Sequence, residues 1–594
     1  MHSDIPLIVA GILAGGIAAQ WLGWRFSVPA IVFLLAGGIV VGPVTGVLHP
    51  DEVFGSVLLP VVSLSVAIIL FEGSLGLGIK GVRSAGRAVW LLLTVGAAIT
   101  LVLTMLLSRW ILDLDTRLAL LLSSVLVVTG PTVIGPIVRT MGLRGRLGAV
   151  LETEGTLIDP IGAVLTVLLF EYYFQEHGTN KTLLVEVGLT FAFGAIIGVA
   201  VALLLTLALA RFFIPDQLHQ MFTLALVIGA FAVSNQVREE SGLVAVTVMG
   251  ITLASQRRVS VGHVLEFNET LRMMLISGLF ILLAARIDAD TLAALEWRNV
   301  ALLVALIVVV RPIAVFASTA LTTLTTREKI FLALTAPRGI VAAAIASVFS
   351  LRLSELGVDG AQELIAATFT VIVGTVLLSG LFSRRLAVRL GLIDDKSNRA
   401  VVVLGSNPFT LALAAAMNEY DVPIRIVDLD RRRLATARMA GIGVHSGSVF
   451  SESALEDLDL EKAVAFAAAT GNDELNAMAC STVAVHMGRR HVFQVVPKRE
   501  QHRAWWTMPA GTFARPLFGR NITISLLNER VEAGWRVGVT RLTPQFTPAM
   551  WREKHEEAVP LMILDKKDNV EFFAADSDRK LRIGDSVVRL AAPD

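Results

Sequence analysis

A lone acid inside an apolar run is the residue best placed to do chemistry in this chain. Asp159 stands in Leu151-Glu-Thr-Glu-Gly-Thr-Leu-Ile-Asp-Pro-Ile-Gly-Ala-Val-Leu-Thr-Val-Leu-Leu-Phe170. An ionised, unpaired carboxylate deep in a bilayer costs at least ~2.5 kcal/mol, so an acid kept there is a functional candidate by default. On a helix, Glu152, Thr156 and Asp159 fall at i, i+4 and i+7 and share one stripe. Glu154 points about 140° away from Asp159. The stripe therefore faces a cavity, and Glu154 faces a neighbouring helix. Burial disfavours the charged carboxylate, so Asp159 can hold a proton or a desolvated alkali cation, but not both. Hard cations take oxygen ligands. The hydroxyls of Thr129 and Thr156, with carbonyls freed at Gly130-Pro131, are the candidates to complete the shell. The bland alternative is a protonated acid that only hydrogen-bonds helices together.

The elements that must position these groups are membrane helices. The 594 residues are 54% hydrophobic and 17% charged, with mean hydropathy +0.70. A soluble domain carries about 25% charge. The net charge of +1 says nothing of partners, because the two halves differ: apolar spans end near residue 390 and the remainder has soluble composition. Cys480 is the single cysteine, which excludes a disulfide framework and a thiolate metal site. Ile5 to about Trp21 lacks a basic leader and a cleavage site, and reads as a retained first helix.

About thirteen runs are long enough to span a bilayer. They begin near residues 5, 28, 54, 88, 117, 148 and 183, then near 217, 241, 268, 298, 329 and 359. If the tail is cytoplasmic, the inner side holds roughly twice the Lys and Arg of the outer side, which fits an N-terminus outside. Thr129-Gly-Pro-Thr-Val-Ile-Gly-Pro136 and Ala336-Pro-Arg-Gly339 each carry prolines that remove backbone donors, so the fifth and twelfth spans should break near mid-membrane. They lie seven spans apart, as in two inverted six-span repeats around a linker helix, and paired interrupted helices point to a transport site. A cation inside the membrane needs an anion, and Arg338 at the second break is the expected partner of Glu154. Arg311 is a second cation in mid-span; the alternative for it is snorkelling to the interface.

Three motifs carry a family resemblance over about residues 1–390. Glu154-Gly-Thr-Leu-Ile-Asp159 resembles the Glu-Ser-Leu-x-Asn-Asp signature of monovalent cation/proton antiporters of the Na⁺/H⁺ exchanger class. Leu70-Phe71-Glu72-Gly73 resembles their Leu-Phe-Glu-x-Gly, and Pro337-Arg338-Gly339 their Leu-Arg-Gly. The resemblance implies a Glu154–Arg338 structural ion pair behind the ion-binding acid. It gives Arg311, Glu72 and Glu152 supporting roles, and it implies a homodimer in the cell membrane. Two departures matter: Ile158 stands where the family has Asn or Asp, and Gly130 where it has Asp. With one carboxylate, electroneutral one-for-one exchange is the simplest balance. A site poorer in oxygen ligands favours the more easily dehydrated K⁺ over Na⁺.

After the charged linker Ile393-Asp-Asp-Lys-Ser-Asn-Arg399, a soluble tail begins. Ala400-Val-Val-Val-Leu-Gly405 reads as a buried strand, Ser406-Asn-Pro-Phe-Thr410 opens a helix, and Ile424-Arg-Ile-Val-Asp428 ends a second strand in an acid. Further turns carry Gly447 and Thr470. The tail resembles the RCK domain, a nucleotide-binding regulator, across about 399–497, and residues 520–594 resemble the small lobe that often follows it. The phosphate loop is degenerate: Asn407 replaces a glycine and Pro408 removes a donor. A mononucleotide such as AMP or ATP fits better than NAD(H), and an empty fold kept for dimerisation is the alternative. The candidate contacts are Gly405, Asn407, Asp428, Gly447 and Thr470; no cofactor is required for transport. Trp505-Trp506 reads as packing or an interface anchor.

The expected architecture is a polytopic helical membrane domain (1–392), a Rossmann-like domain (399–497) and a β-rich lobe (520–594). Rival functions are an RCK-gated potassium channel, for which no filter sequence such as Thr-Val-Gly-Tyr-Gly exists, and a proton-coupled symporter of a small solute. An enzyme or a nucleic-acid binder has no motif in support.

Overall fold

The computed structural model describes residues 5–593 except 27, 142, 144–145, 175–182, 257, 260, 287–296, 359, 394–399, 452–453, 456–457, 459, 461–462, 497–513, 520, 566–568 and 576–578. The charged linker after Ile393 and Trp505-Trp506 lie outside the described residues. The chain divides into two compact units, Met1–Ile393 and Asp394–Asp594.

The described residues of the first unit form helices joined by turns. Among the described residues, nine helices are long and apolar enough to cross a membrane. Ala30–Val44, Thr116–Val127 and Ser241–Ser255 are shorter apolar helices in the same unit. Lipid supplies no hydrophobic drive between helices, so close packing of small residues must hold them together. Gly38 and Gly42 lie against Ile281, Ala284 and Ala285; Gly194 and Gly198 against Ser241, Val244 and Ala245; Gly250 against Phe71 and Ser74. At each of these positions an added Cβ would collide with the facing helix.

Both proline-bearing rods are interrupted. One runs as Thr116–Val127 and resumes at Pro131–Met141; the other runs as Thr326–Leu334 and resumes at Ile340–Glu355. Pro131 takes the first position of the resumed helix, where its missing N–H costs nothing. The second rod starts on a capping box between Thr325 and Glu328. Three further helices widen into short π segments, at Val40–Val44, Leu92–Gly96 and Leu306–Val310.

The second unit is built on a six-stranded parallel sheet. Its strands are β1 (Val401–Leu404), β2 (Ile424–Asp428), β3 (Gly443–Ser446), β4 (Ala465–Ala468), β5 (Val492–Val495) and β6 (Arg515–Leu517), in the order β3-β2-β1-β4-β5-β6. This is the doubly wound order whose switch point lies between β1 and β4. Strands β1 and β4 are buried along their whole length, as in sheets covered on both faces. The Rossmann-like domain is expected from the sequence to end at residue 497; the parallel sheet also takes in β6, which pairs with β5. A four-stranded antiparallel sheet follows: β7 (Arg536–Arg541), β8 (Val559–Leu564), β9 (Val570–Phe572) and β10 (Ser586–Ala591), ordered β7-β10-β8-β9. Phe409, Leu413 and Phe493 share one core with Leu527, Leu561 and Val588, so the small lobe is fused to the parallel sheet. Cys480 is buried within the unit, and burial pushes its thiol up to about 12, which leaves it without thiolate chemistry.

Candidate functional site

Asp159 lies midway along the helix Arg146–Phe174, directly before Pro160. It is 0% exposed, and neither carboxylate oxygen has a hydrogen-bond partner. One turn on, Gly162 packs so closely that a Cβ there would run into Val128. The acid therefore sits on a helix pressed against the first break. Thr129, within that break, is buried, and its hydroxyl is also unpartnered. Leaving a buried polar atom unsatisfied costs about 1–3 kcal/mol. The helix that carries Asp159 and the break that carries Thr129 thus each present an unsatisfied buried oxygen.

Thr156 is buried one turn before the acid, and its hydroxyl donates to the Glu152 carbonyl at 2.9 Å. It faces Gly73 on the helix Leu58–Ala85, where a Cβ would stand 3.9 Å from its oxygen. The hydroxyl still has lone pairs to offer a cation. Glu152 is half-buried on the same helix.

The two breaks meet. Gly339 approaches Gly130 so tightly that a Cβ on Gly339 would overlap the Gly130 backbone. Arg338 is 3% exposed; its Nη1 donates to the carbonyls of Val127 at 3.1 Å and Val128 at 3.4 Å, and its backbone N–H donates to Thr375 Oγ1 at 3.1 Å. Helix ends leave carbonyls without intrahelical partners and carry partial negative charge. The guanidinium of one broken rod thus caps the end of the other. Gly339→Ala is expected to destabilise the unit by about 1–3 kcal/mol, because the overlap is with backbone that cannot rotate away. Thermal unfolding in detergent measures that cost, and an unchanged melting temperature would mean that the breaks do not touch.

The expected Glu154–Arg338 pair is not what forms. Both oxygens of Glu154 are taken by Arg311, at 2.7 Å to Nη1 and 2.9 Å to Nη2, and both side chains are buried. Arg338 is instead engaged with the carbonyls of the first break. Arg311, on the helix that follows the Leu306–Val310 π segment, presents the fork that a carboxylate accepts bidentately. Arg311 is thus a core ion pair and does not snorkel. The charge of Arg338 still acts on Glu154 and Asp159, and it is opposed by Arg311. Glu154 does face a neighbouring helix, as its angle to Asp159 implied.

Sequence reasoning missed the partner of Glu72. Arg272, on the helix Gly262–Ala285, reaches the buried Glu72 carboxylate at 3.0 Å and also lies 3.6 Å from Glu269. The signal was available: Arg272 stands inside an apolar span, and a cation there needs an anion.

In the second unit, the tail residues lie at the ends of β1 to β4, and their polar groups bond within the chain. Asp428 accepts from the Ser406 and Asp430 backbone N–H groups at 2.8 and 2.9 Å. Asn407 caps the helix Pro408–Asn418 and also donates to the Ala469 carbonyl. Gly405 has φ +106°, a conformation that suits glycine. Gly447 donates to the Asp428 carbonyl at 3.3 Å, and Thr470 is bound to Asn476. These residues do not fit an incoming phosphate.

Taken together, the first unit is a polytopic helical transporter fold with two broken helices in contact and an unsatisfied acid beside them. Residues 7–389 match the family described as "Sodium/hydrogen exchanger, transmembrane", and the chain belongs to that family. Residues 401–506 match the TrkA-N domain. The chain is 25% identical over 393 residues to the K(+)/H(+) antiporter NhaP2 of Shewanella sp. (strain ANA-3), covering 65% of this chain and 67% of that protein. It is 26% identical over 348 residues to the Na(+)/H(+) antiporter ApNhaP of Aphanothece halophytica, covering 56% and 64%. The fold is similar to that of the sodium proton antiporter MjNhaP1 of Methanocaldococcus jannaschii, with TM-score 0.58, 22% identity, and coverage of 66% of this chain and 99% of that one.

Proposed function

We propose that this chain exchanges a monovalent alkali cation for a proton across the cell membrane, one for one, by alternating access to Asp159. The observation that carries this reading is the acid itself, fully buried, with both oxygens free, beside a break whose Thr129 hydroxyl is also free. A single carboxylate that binds either a proton or a cation makes the two fluxes obligatory partners. Thr129, Thr156 and the carbonyls near Gly130 complete the oxygen shell. Alternating access follows if the half of the membrane unit that holds the breaks rocks against the other half. On this reading the membrane unit has thirteen spans in two inverted repeats, with the N-terminus outside and the tail in the cytoplasm. The relatives named above are a K⁺/H⁺ and a Na⁺/H⁺ antiporter. Because Ile158 and Gly130 withhold oxygens from the site, we assign K⁺ as the preferred cation. The tail regulates this exchange, and the chain works as a homodimer.

Proteoliposomes loaded with a pH dye test the proposal. Addition of K⁺ should drive proton movement, Na⁺ should drive it less, and choline should not drive it at all. Flux that runs without any alkali cation would favour proton-coupled symport of another solute.

A further inference from the structure

The TrkA-N fold implies a nucleotide, whose phosphates would be held by the N–H groups at the loop after β1 and the start of the next helix. In this chain every one of those donors is already taken. Gly405 donates to the Val427 carbonyl at 2.8 Å, and Ser406 to the Asp428 carboxylate at 2.8 Å. Asn407 donates to Thr410 Oγ1 at 3.0 Å, and Thr410 returns a bond to Asn407 Oδ1 at 3.1 Å. Pro408 has no N–H. Leu411 donates within the helix to the Asn407 carbonyl at 3.0 Å. The last donor, Phe409, gives its N–H to Oδ1 of Asn528 at 3.0 Å. Asn528 belongs to the helix Ile524–Glu532, at the start of the small lobe.

We propose that this loop takes no nucleotide phosphate, and that the Asn528 carboxamide stands in the ligand's place, clasping the small lobe to the parallel sheet. Three features support it. The loop keeps Asp428 as its own internal anion, which repels a phosphate at the Ser406 N–H. The Asn407 side chain fills the position of the glycine through which backbone approaches a pyrophosphate in the dinucleotide fingerprint. The clasp is backed by apolar contact: Phe409 packs edge-on against Phe518 with ring centroids 5.7 Å apart, and Leu527 beside Asn528 is fully buried in the same core. A regulatory signal that reaches the tail must then enter elsewhere than at this loop. The inference holds whether or not the membrane unit exchanges cations for protons.

Hydrogen exchange on the full-length protein in detergent tests it, read on the peptide that spans residues 405–411. In the wild type, millimolar AMP, ATP, NAD⁺ or NADH should leave exchange of that peptide unchanged. Asn528→Leu should speed exchange of the Phe409 amide by about fivefold, the loss of one ordinary hydrogen bond. Asn528→Asp keeps an acceptor at the helix N-terminus and should retain the protection. A saturable slowing of exchange by any of the four nucleotides in the wild type would overturn the proposal. Unchanged Phe409 exchange in Asn528→Leu would overturn the clasp. If the leucine variant fails to fold, the wild-type titration and the aspartate variant still decide.

Discussion

Asp159→Asn is expected to bring alkali-driven proton flux down to that of protein-free liposomes while leaving the protein folded. Asparagine has nearly the shape of aspartate but offers no titratable proton and no negative charge to a cation. No hydrogen bond is lost, because neither Asp159 oxygen has a partner in the chain. A role confined to linking helices would give the opposite pattern, with weakened folding and persistent flux. Flux in reconstituted liposomes and a melting curve in detergent, taken on the same preparation, separate the two. If the variant transports at the wild-type rate, this acid has no part in the exchange.

Glu154→Gln is expected to be the most destabilising conservative change in the membrane unit, costing about 3–5 kcal/mol. It leaves Arg311 charged, buried and without its bidentate partner. The paired change Glu154→Leu with Arg311→Met should recover most of the stability, since a buried ion pair replaced by apolar groups of similar volume is often neutral. Melting temperatures of the two single variants and the double variant in detergent measure the coupling. Additive losses would show that the two side chains do not depend on each other.

Much of this arrangement was legible because the signals are local. Proline removes a donor wherever it stands, so the interruptions at Pro131 and Pro337 could be placed from the residues alone. The burial of Asp159 followed from the apolar run around it, and the split between its stripe and Glu154 followed from helical periodicity. The order of strand, turn, helix and acid from Ala400 to Asp428 likewise announced a doubly wound sheet.

What could not be read is who meets whom over long separations. Glu154 and Arg311 are 157 residues apart, and nothing in either neighbourhood favours Arg311 over Arg338. The deciding fact is three-dimensional: the carbonyls of Val127 and Val128, where a helix ends, accept from Arg338. Arg272 could be flagged as a cation within an apolar span, but its pairing with Glu72 could not be read for the same reason. Asn528 is 119 residues from the N–H it caps, so a degenerate phosphate loop could be recognised from Asn407 and Pro408, but not the side chain that closes it.

The central claim is that one acid holds a proton or a cation, never both. The most direct test is the half-saturating K⁺ concentration for proton release, measured across a series of pH values in proteoliposomes. Competition at a single carboxylate requires that concentration to rise about tenfold for each unit of pH below the acid's pKa and to level off above it. A half-saturating concentration that stays constant across the whole pH range would mean that cation and proton bind at different places, and would contradict the account.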